Sequence, residues 1–259
     1  MRSWFRSICV RLSLVVLGLI AGTAEAEQFK VLVLSKTNGW HHDSIPAAVA
    51  GIRQLGRLHD FGVFWTEDAG RVMNDRELAN YRAVVFLLTT GDILNADQKA
   101  AFERYIRAGG GYVGVHSAAD TEHHWPWYTR LVGRMFRTHP AIQTATVVVN
   151  ERNFPGMDRF PARFLFTEEW YQFGPTFSPN LKPLLSVDVR TYQPNPEADG
   201  RQGEGREPLP ISWYQQYDGG RSFYTALGHL EATHSDERFL HHLYGGIYWA
   251  ATGRGFSAE

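Results

Sequence analysis

Cysteine is almost absent from this chain: its 259 residues hold one, Cys9, near the N-terminus. A disulfide framework is therefore excluded, and thiol chemistry has no residue to run on once the leader described below is removed. An excess of one charge is also missing. The 26 Lys and Arg stand against 27 Asp and Glu, with no basic run. Nucleic acid and anionic membrane are excluded as expected partners on that ground. There is no internal repeat and no low-complexity tract. Beyond the first residues no apolar run is long enough for a membrane anchor.

The N-terminus has the three parts of a secretory signal. Arg2, Arg6 and Arg11 make a basic head, Leu12 to Thr23 is apolar, and Ala24-Glu25-Ala26 is a cleavage site of the Ala-x-Ala kind. Residues 1–26 are expected to be removed, so the protein is expected in the periplasm or secreted. The lone Cys9 falls inside this segment, without the preceding Leu of a lipoprotein signal. Residues 27–259 then form a single α/β domain with 23 basic and 26 acidic side chains, net −3. With no disulfide available, that domain must rely on its core, which is feasible at this length.

Buried strands of a parallel sheet read as continuous apolar runs. Such runs occur at 29–35, 81–89 and 112–115, with a further strand expected at 61–66. Helices are expected between them. One is capped by Asp43 or Ser44 with Pro46 in its first turn, and a short one spans 75–80. Another opens at Asn95, with Gln98 three residues on in capping-box spacing. This β-α-β order predicts a doubly wound, mostly parallel sheet with helices on both faces. Further along, 126–136 reads as a helix, 144–149 and 181–189 as strands, and 163–173 as one aromatic stretch. Residues 192–208 read as an exposed loop. A hairpin is expected across Asp218-Gly219-Gly220, followed by a last helix capped by Ser235.

Three expected strand ends carry histidine: His42 after the first, His116 after the fourth, and His229 after the second strand of the hairpin. Loops that follow parallel strands gather at one sheet edge, so residues far apart in sequence can converge. Imidazole binds metals and moves protons near neutral pH. Three imidazoles with a carboxylate, Asp120 or Glu169, would suit a divalent metal such as zinc or manganese. Of the adjacent Glu168 and Glu169, strand alternation predicts one inward and one outward. His139 follows the helix expected at 126–136, where it would either close the site or cap that helix. Trp40, Trp125, Trp170 and Tyr171 are candidate stacking faces for a sugar, with Ser117 beside them. His41, His234, His241 and His242 read as solvated or packing residues.

These segments together resemble the trehalose-utilisation (ThuA-like) family. The resemblance is carried by Gly39-Trp40-His41-His42-Asp43-Ser44, by Gly109 to Thr121, and by His139-Pro140 and Glu169-Trp170-Tyr171. It continues through Pro210 to Tyr217, Phe223 to His229, and Gly245 to Ala250. The family implies the class I glutamine amidotransferase-like (flavodoxin-like) fold and a role in carbohydrate metabolism. In true amidotransferases the turn after the fourth strand holds a nucleophilic Cys. Here His116 takes that place, which excludes amidotransferase activity. His229-Leu230-Glu231 resembles the His-Pro-Glu of those enzymes, so a Ser117–His229–Glu231 triad is conceivable, although Ser117 sits one residue past the turn.

Three functions are compatible with these residues. The first is an exported enzyme acting on a sugar or keto-sugar by hydrolysis, elimination or isomerisation. Its metal would sit on His42, His116 and His229, with His116, Asp120, Glu169 and His229 as acid–base candidates. The second is a sugar-binding module without catalysis, and the third a serine esterase acting through Ser117. A small-molecule sugar is the expected partner, and a homo-oligomer is compatible with the sequence.

Overall fold

The computed structural model describes residues 27–195 and 207–256. The signal-peptide reading, and the middle of the 192–208 loop, lie outside the described residues. In chain order the elements are β1 (Lys30–Leu34), α1 (Ile45–Leu58), β2 (Gly62–Thr66), α2 (Ala69–Val72), α3 (Asp75–Leu78) and β3 (Ala83–Leu87). Then come α4 (Ala96–Arg107), β4 (Gly111–Val115), α5 (Pro126–Val132), β5 (Arg134–Thr138), β6 (Gln143–Val149) and β7 (Arg163–Glu168). The chain closes with β8 (Gln172–Thr176), β9 (Lys182–Val187), β10 (Leu209–Tyr217), β11 (Gly220–Thr225) and α6 (Glu237–Thr252).

Nine strands form one sheet in the order β2-β1-β3-β4-β11-β10-β9-β6-β7, and β5 pairs with β8 separately. From β2 to β11 every neighbour is parallel. From β11 outward every pairing is antiparallel. The pair orientations leave β10 and β6 alone running against the rest, so the sheet is mixed but mostly parallel, as expected.

Strand alternation explains why helices cover both faces. On β4, Tyr112 points toward Phe102 of α4 and Tyr128 of α5. On the neighbouring β11, Phe223 is level with Val113 and points the other way, toward His242 of α6. The core strands β1 and β3 are buried along almost their whole length, which is why they read as unbroken apolar runs.

The helix termini are mostly where the cap residues put them. Asn95 accepts from the Gln98 backbone while the Gln98 side chain reciprocates, a complete capping box. Asp236, not Ser235, caps α6 through two backbone N–H groups. Two further expectations fail. The expected helix 126–136 stops at Val132, because Gly133 takes φ +97° and turns the chain into β5. The aromatic stretch 163–173 is two strands, β7 and β8, separated by residues 169–171. That interruption matters for the site.

Candidate functional site

His116 stands where β4 ends and a 3-10 turn, His116–Asp120, begins. Its φ of +50° is left-handed backbone, a strained conformation for a residue with a Cβ. Buried hydroxyls hold that turn in place. Tyr224 Oη donates to the His116 carbonyl at 2.7 Å, and Tyr128 Oη donates to the Ala118 carbonyl at 2.8 Å. The ring itself is oriented from β11, since Nδ1–H donates to the Ala226 carbonyl at 2.8 Å. A carbonyl can only accept, so that bond places a proton on Nδ1 and, in the neutral ring, leaves the Nε2 lone pair facing the site.

Convergence of the three histidines is observed. Ring centroids of His42 and His116 lie 5.0 Å apart, His42 and His229 5.4 Å, and His116 and His229 5.2 Å. Glu169 joins them: its Oε2 is 3.3 Å from His116 Nε2 and 3.3 Å from His229 Nδ1. One donor atom from each of His42, His116, Glu169 and His229 lies within 4.8 Å of the others. His139 approaches the second carboxylate oxygen, with Nδ1 3.1 Å from Oε1.

The electrostatics follow from this crowding. Burial, and then the charges of His116, His229, His41 and His139, push the His42 pKa down to about 3. Burial also lowers His229, with Glu169 pulling it up and His116 pushing it down. Burial raises Glu169, but the His116 hydrogen bond and the nearby imidazole charges outweigh that and leave it lowered. His42 and the half-buried His229 thus stay neutral at neutral pH beside an ionised carboxylate, the protonation state a cation needs. His116 supplies a sharper argument. With Nδ1 donating to a carbonyl, a neutral His116 has no proton for Glu169, and two lone pairs face each other at 3.3 Å. A cation between them, proton or metal, relieves that repulsion. Three imidazoles and a carboxylate fit a zinc-type donor set.

The cluster opens into a cavity of about 380 Å³, walled by Trp40, Phe136, Tyr171, His139 and Asp120 together with His42, His229 and Glu169, while His116 lies behind that wall. That volume lies within the range of small-ligand sites. A larger groove of about 760 Å³ beside Lys182 and Tyr214 has no histidine or carboxylate on its walls. Tyr171 lies against His116 with 4.2 Å between ring centroids, and Phe136 against Tyr171 at 4.3 Å. Trp40 is 72% exposed at the rim.

Several sequence-derived roles change. Trp125 and Trp170 are no sugar platforms. Trp125 is buried in a stack with Trp127, its Nε1 donating to Glu103. Trp170 is 1% exposed, and its Nε1 donates to the Gln143 carbonyl. Glu168 and Glu169 are both buried rather than split between faces. The reason is that β7 ends at Glu168, so alternation does not carry on to Glu169. Asp120 lies on the cavity wall, paired with His123 at 2.8 Å and outside the set of four. The Ser117–His229–Glu231 triad is not assembled. Ser117 Oγ faces His42 Nδ1 at 3.5 Å, His229 faces His116 and Glu169, and Glu231 is solvent-exposed. His234 and His242 pack as expected, His234 Nε2 donating to the Gly228 carbonyl and His242 Nε2 meeting Ser212 Oγ. Phe136 was missed because it was read as part of a helix; the break at Gly133 was the available signal.

A family model described as ThuA, trehalose utilisation, matches residues 30–250. Among solved structures, a ThuA-like protein from Bacteroides uniformis is 23% identical, covering 92% of this chain and 98% of its own, with a TM-score of 0.72. A ThuA-like protein from Parabacteroides merdae is 19% identical, with 89% and 92% covered and a TM-score of 0.71. The β-galactosidase of Bacillus circulans sp. alkalophilus is 13% identical over 86% of this chain and 31% of its own, with a TM-score of 0.52. At these identities the likenesses show the fold. No curated protein matches the chain.

Proposed function

Because the chain belongs to the trehalose-utilisation (ThuA) family, we propose that it is a carbohydrate-processing enzyme acting on a sugar or keto-sugar. The observation that carries this reading is the convergence of His42, His116, His229 and Glu169 at the base of a cavity with aromatic walls. Sugars present C–H faces that stack on rings and hydroxyl or carbonyl oxygens that bind cations, and this cavity offers partners for both.

In this proposal a divalent ion such as zinc or manganese is held by the three imidazoles and Glu169. Bound there, it would polarise a carbonyl or hydroxyl oxygen of the sugar. Tyr171 and Phe136 line the inner wall and Trp40 the rim, so the ring is gripped between them. With Glu169 committed to the ion, Asp120 and His139 are the cavity groups left to move a proton on the adjacent carbon. Proton transfer beside a polarised carbonyl is the step that elimination and isomerisation of a keto-sugar share. We further propose that the protein is exported after cleavage near Ala26. N-terminal sequencing of protein from the periplasm or medium is expected to begin near Glu27, and an intact Met1 there overturns it.

The test is metal analysis of the purified protein with sugar turnover before and after chelation. About one zinc or manganese per chain, with turnover lost on chelation and restored by the ion, is the expected result. Sugar binding with neither ion nor turnover would make the protein a binding module. A covalent fluorophosphonate adduct on Ser117 would revive the esterase reading.

A further inference from the structure

Glu168 is the member of the acidic pair that the proposed chemistry leaves unused. Its side chain has no exposed surface. A buried carboxylate is unfavourable unless its oxygens are satisfied, and the donors that satisfy this one all lead to the site. Oε1 accepts from the backbone N–H of Glu169 at 3.0 Å. Oε2 accepts from the Gly228 N–H at 2.9 Å and from Thr233 Oγ1 at 2.8 Å. Glu169 is in the cluster, Gly228 precedes His229, and Thr233 lies in the 3-10 turn that follows it.

Gly228 is the centre of this arrangement. Its φ of +127° is a conformation that suits glycine. While Glu168 holds its N–H, its carbonyl accepts from His234 Nε2 at 2.8 Å and from Ser44 Oγ at 3.4 Å. Ser44 is two residues beyond His42. One residue, through the peptide groups on either side of it, thereby ties together the segments that carry His42, His229 and Glu169. The bond from Oε1 to the next residue's N–H also closes a small ring at the end of β7. There the chain leaves strand geometry, and Glu169 turns to the cavity instead of the opposite face.

We propose that Glu168 is a positioning residue that sets the spacing of Glu169 and His229. This rests on reading the cluster as a cation site. Replacing one carboxylate oxygen by an amide NH₂ turns a donor toward a donor, so Glu168→Gln is the direct probe. Thr233→Val removes the single hydrogen bond that Thr233 Oγ1 donates to Glu168 Oε2 and serves if the first variant does not fold.

The experiment is titration of the full chain with Co²⁺, reading the visible ligand-field spectrum and, separately, the melting temperature. Glu168→Gln is expected to weaken Co²⁺ about 10–100-fold, the range for losing an outer-shell partner, and to change the spectrum. Thr233→Val should shift both in the same direction by less. A Glu168→Gln protein, or a Thr233→Val protein where that one does not fold, that binds Co²⁺ within twofold of wild type with the same spectrum overturns the proposal, whatever its melting temperature. If the wild type itself takes no Co²⁺, the metal reading fails separately. The ring positions are then read by long-range ¹H–¹⁵N NMR. Shifts of the His229 and His116 ring signals in Glu168→Gln with His242 unmoved support the positioning role, and unmoved His229 and His116 signals overturn it.

Discussion

Two groups of histidines coexist among the described residues, and burial alone does not distinguish them, since His116 in one and His242 in the other have no exposed surface. His242 on α6 is fully buried, and desolvation followed by the His241 charge pushes its pKa down to about 3. His42 reaches about 3 as well, again chiefly through burial. The surroundings differ. His242 meets one hydroxyl, Ser212 Oγ at 2.9 Å, and the rings of Phe223 and Phe160. His42, His116 and His229 meet one another, a carboxylate and a cavity. A depressed imidazole pKa therefore marks burial, while convergence on Glu169 at an opening marks a site.

The largest expected effect separates the two groups directly. His116→Ala should abolish stoichiometric ion binding and lower sugar turnover by about 100-fold or more. His242→Ala should keep turnover per folded molecule and lose about 1–3 kcal/mol of stability, since it opens a void and leaves Ser212 Oγ only its bond to the Tyr224 carbonyl. Metal analysis, turnover and urea melts on both variants measure this. Equal loss of ion in the two would erase the distinction.

Next in size is Glu169→Gln. The cluster keeps its imidazoles but loses its anion, and ion affinity should fall about 10–100-fold. Calorimetric titration reads it; an unchanged affinity would remove Glu169 from the shell.

Acid should act on both groups alike, because it acts through burial. Above pH 6.5 the rings of His42, His234 and His242 are neutral in folded and unfolded chains. Below it the unfolded chain takes up protons that the folded one refuses down to about pH 4 for His234 and about pH 3 for His42 and His242. Stability is then lost as pH falls, by up to about 1.4 kcal/mol per pH unit for each ring. Urea melts from pH 7 to 4.5 should show this slope, shallower by one proton in His242→Gln. A saturating divalent ion should deepen the acid dependence, since protonation must also release it. A flat profile contradicts the buried-neutral assignment.

Trp40→Ala should have a smaller effect, raising the sugar KM about 2–10-fold with kcat little changed, as befits a rim ring worth about 0.5–1.5 kcal/mol. Trp170→Phe should leave KM alone, because that ring faces the Gln143 carbonyl rather than the cavity. The smallest effect belongs to Ser117→Ala. Its contact with His42 is at the limit of a hydrogen bond, 3.5 Å, so turnover should stay within about twofold. A large loss would point back to a nucleophilic serine.

Much of this molecule was legible in its residues. The apolar runs named β1, β3 and β4, the Asn95–Gln98 box named the start of α4, and three strand ends carrying His42, His116 and His229 named one sheet edge. Those inferences work because each depends on neighbours in sequence or on one topological rule. Glu169 was legible only as one of two acids. Trp125 and Trp170 were misread because an aromatic side chain looks the same in a list whether it lines a cavity or fills a core.

By itself the sequence determined the parallel half of the sheet, the capping box that opens α4, and the absence of thiol chemistry from residues 27–259. Tertiary structure alone decided that Glu169 enters the cluster, that Trp40 and Tyr171 face the cavity while Trp170 does not, and that Gly228 joins the segments. The physical reason is range. Periodicity and capping act over a few residues, whereas the turn that aims Glu169 includes a hydrogen bond that Glu168 accepts from a residue 60 positions away. No local pattern encodes that partner; it exists only once the tertiary fold has brought the end of β7 to the segment that follows β11.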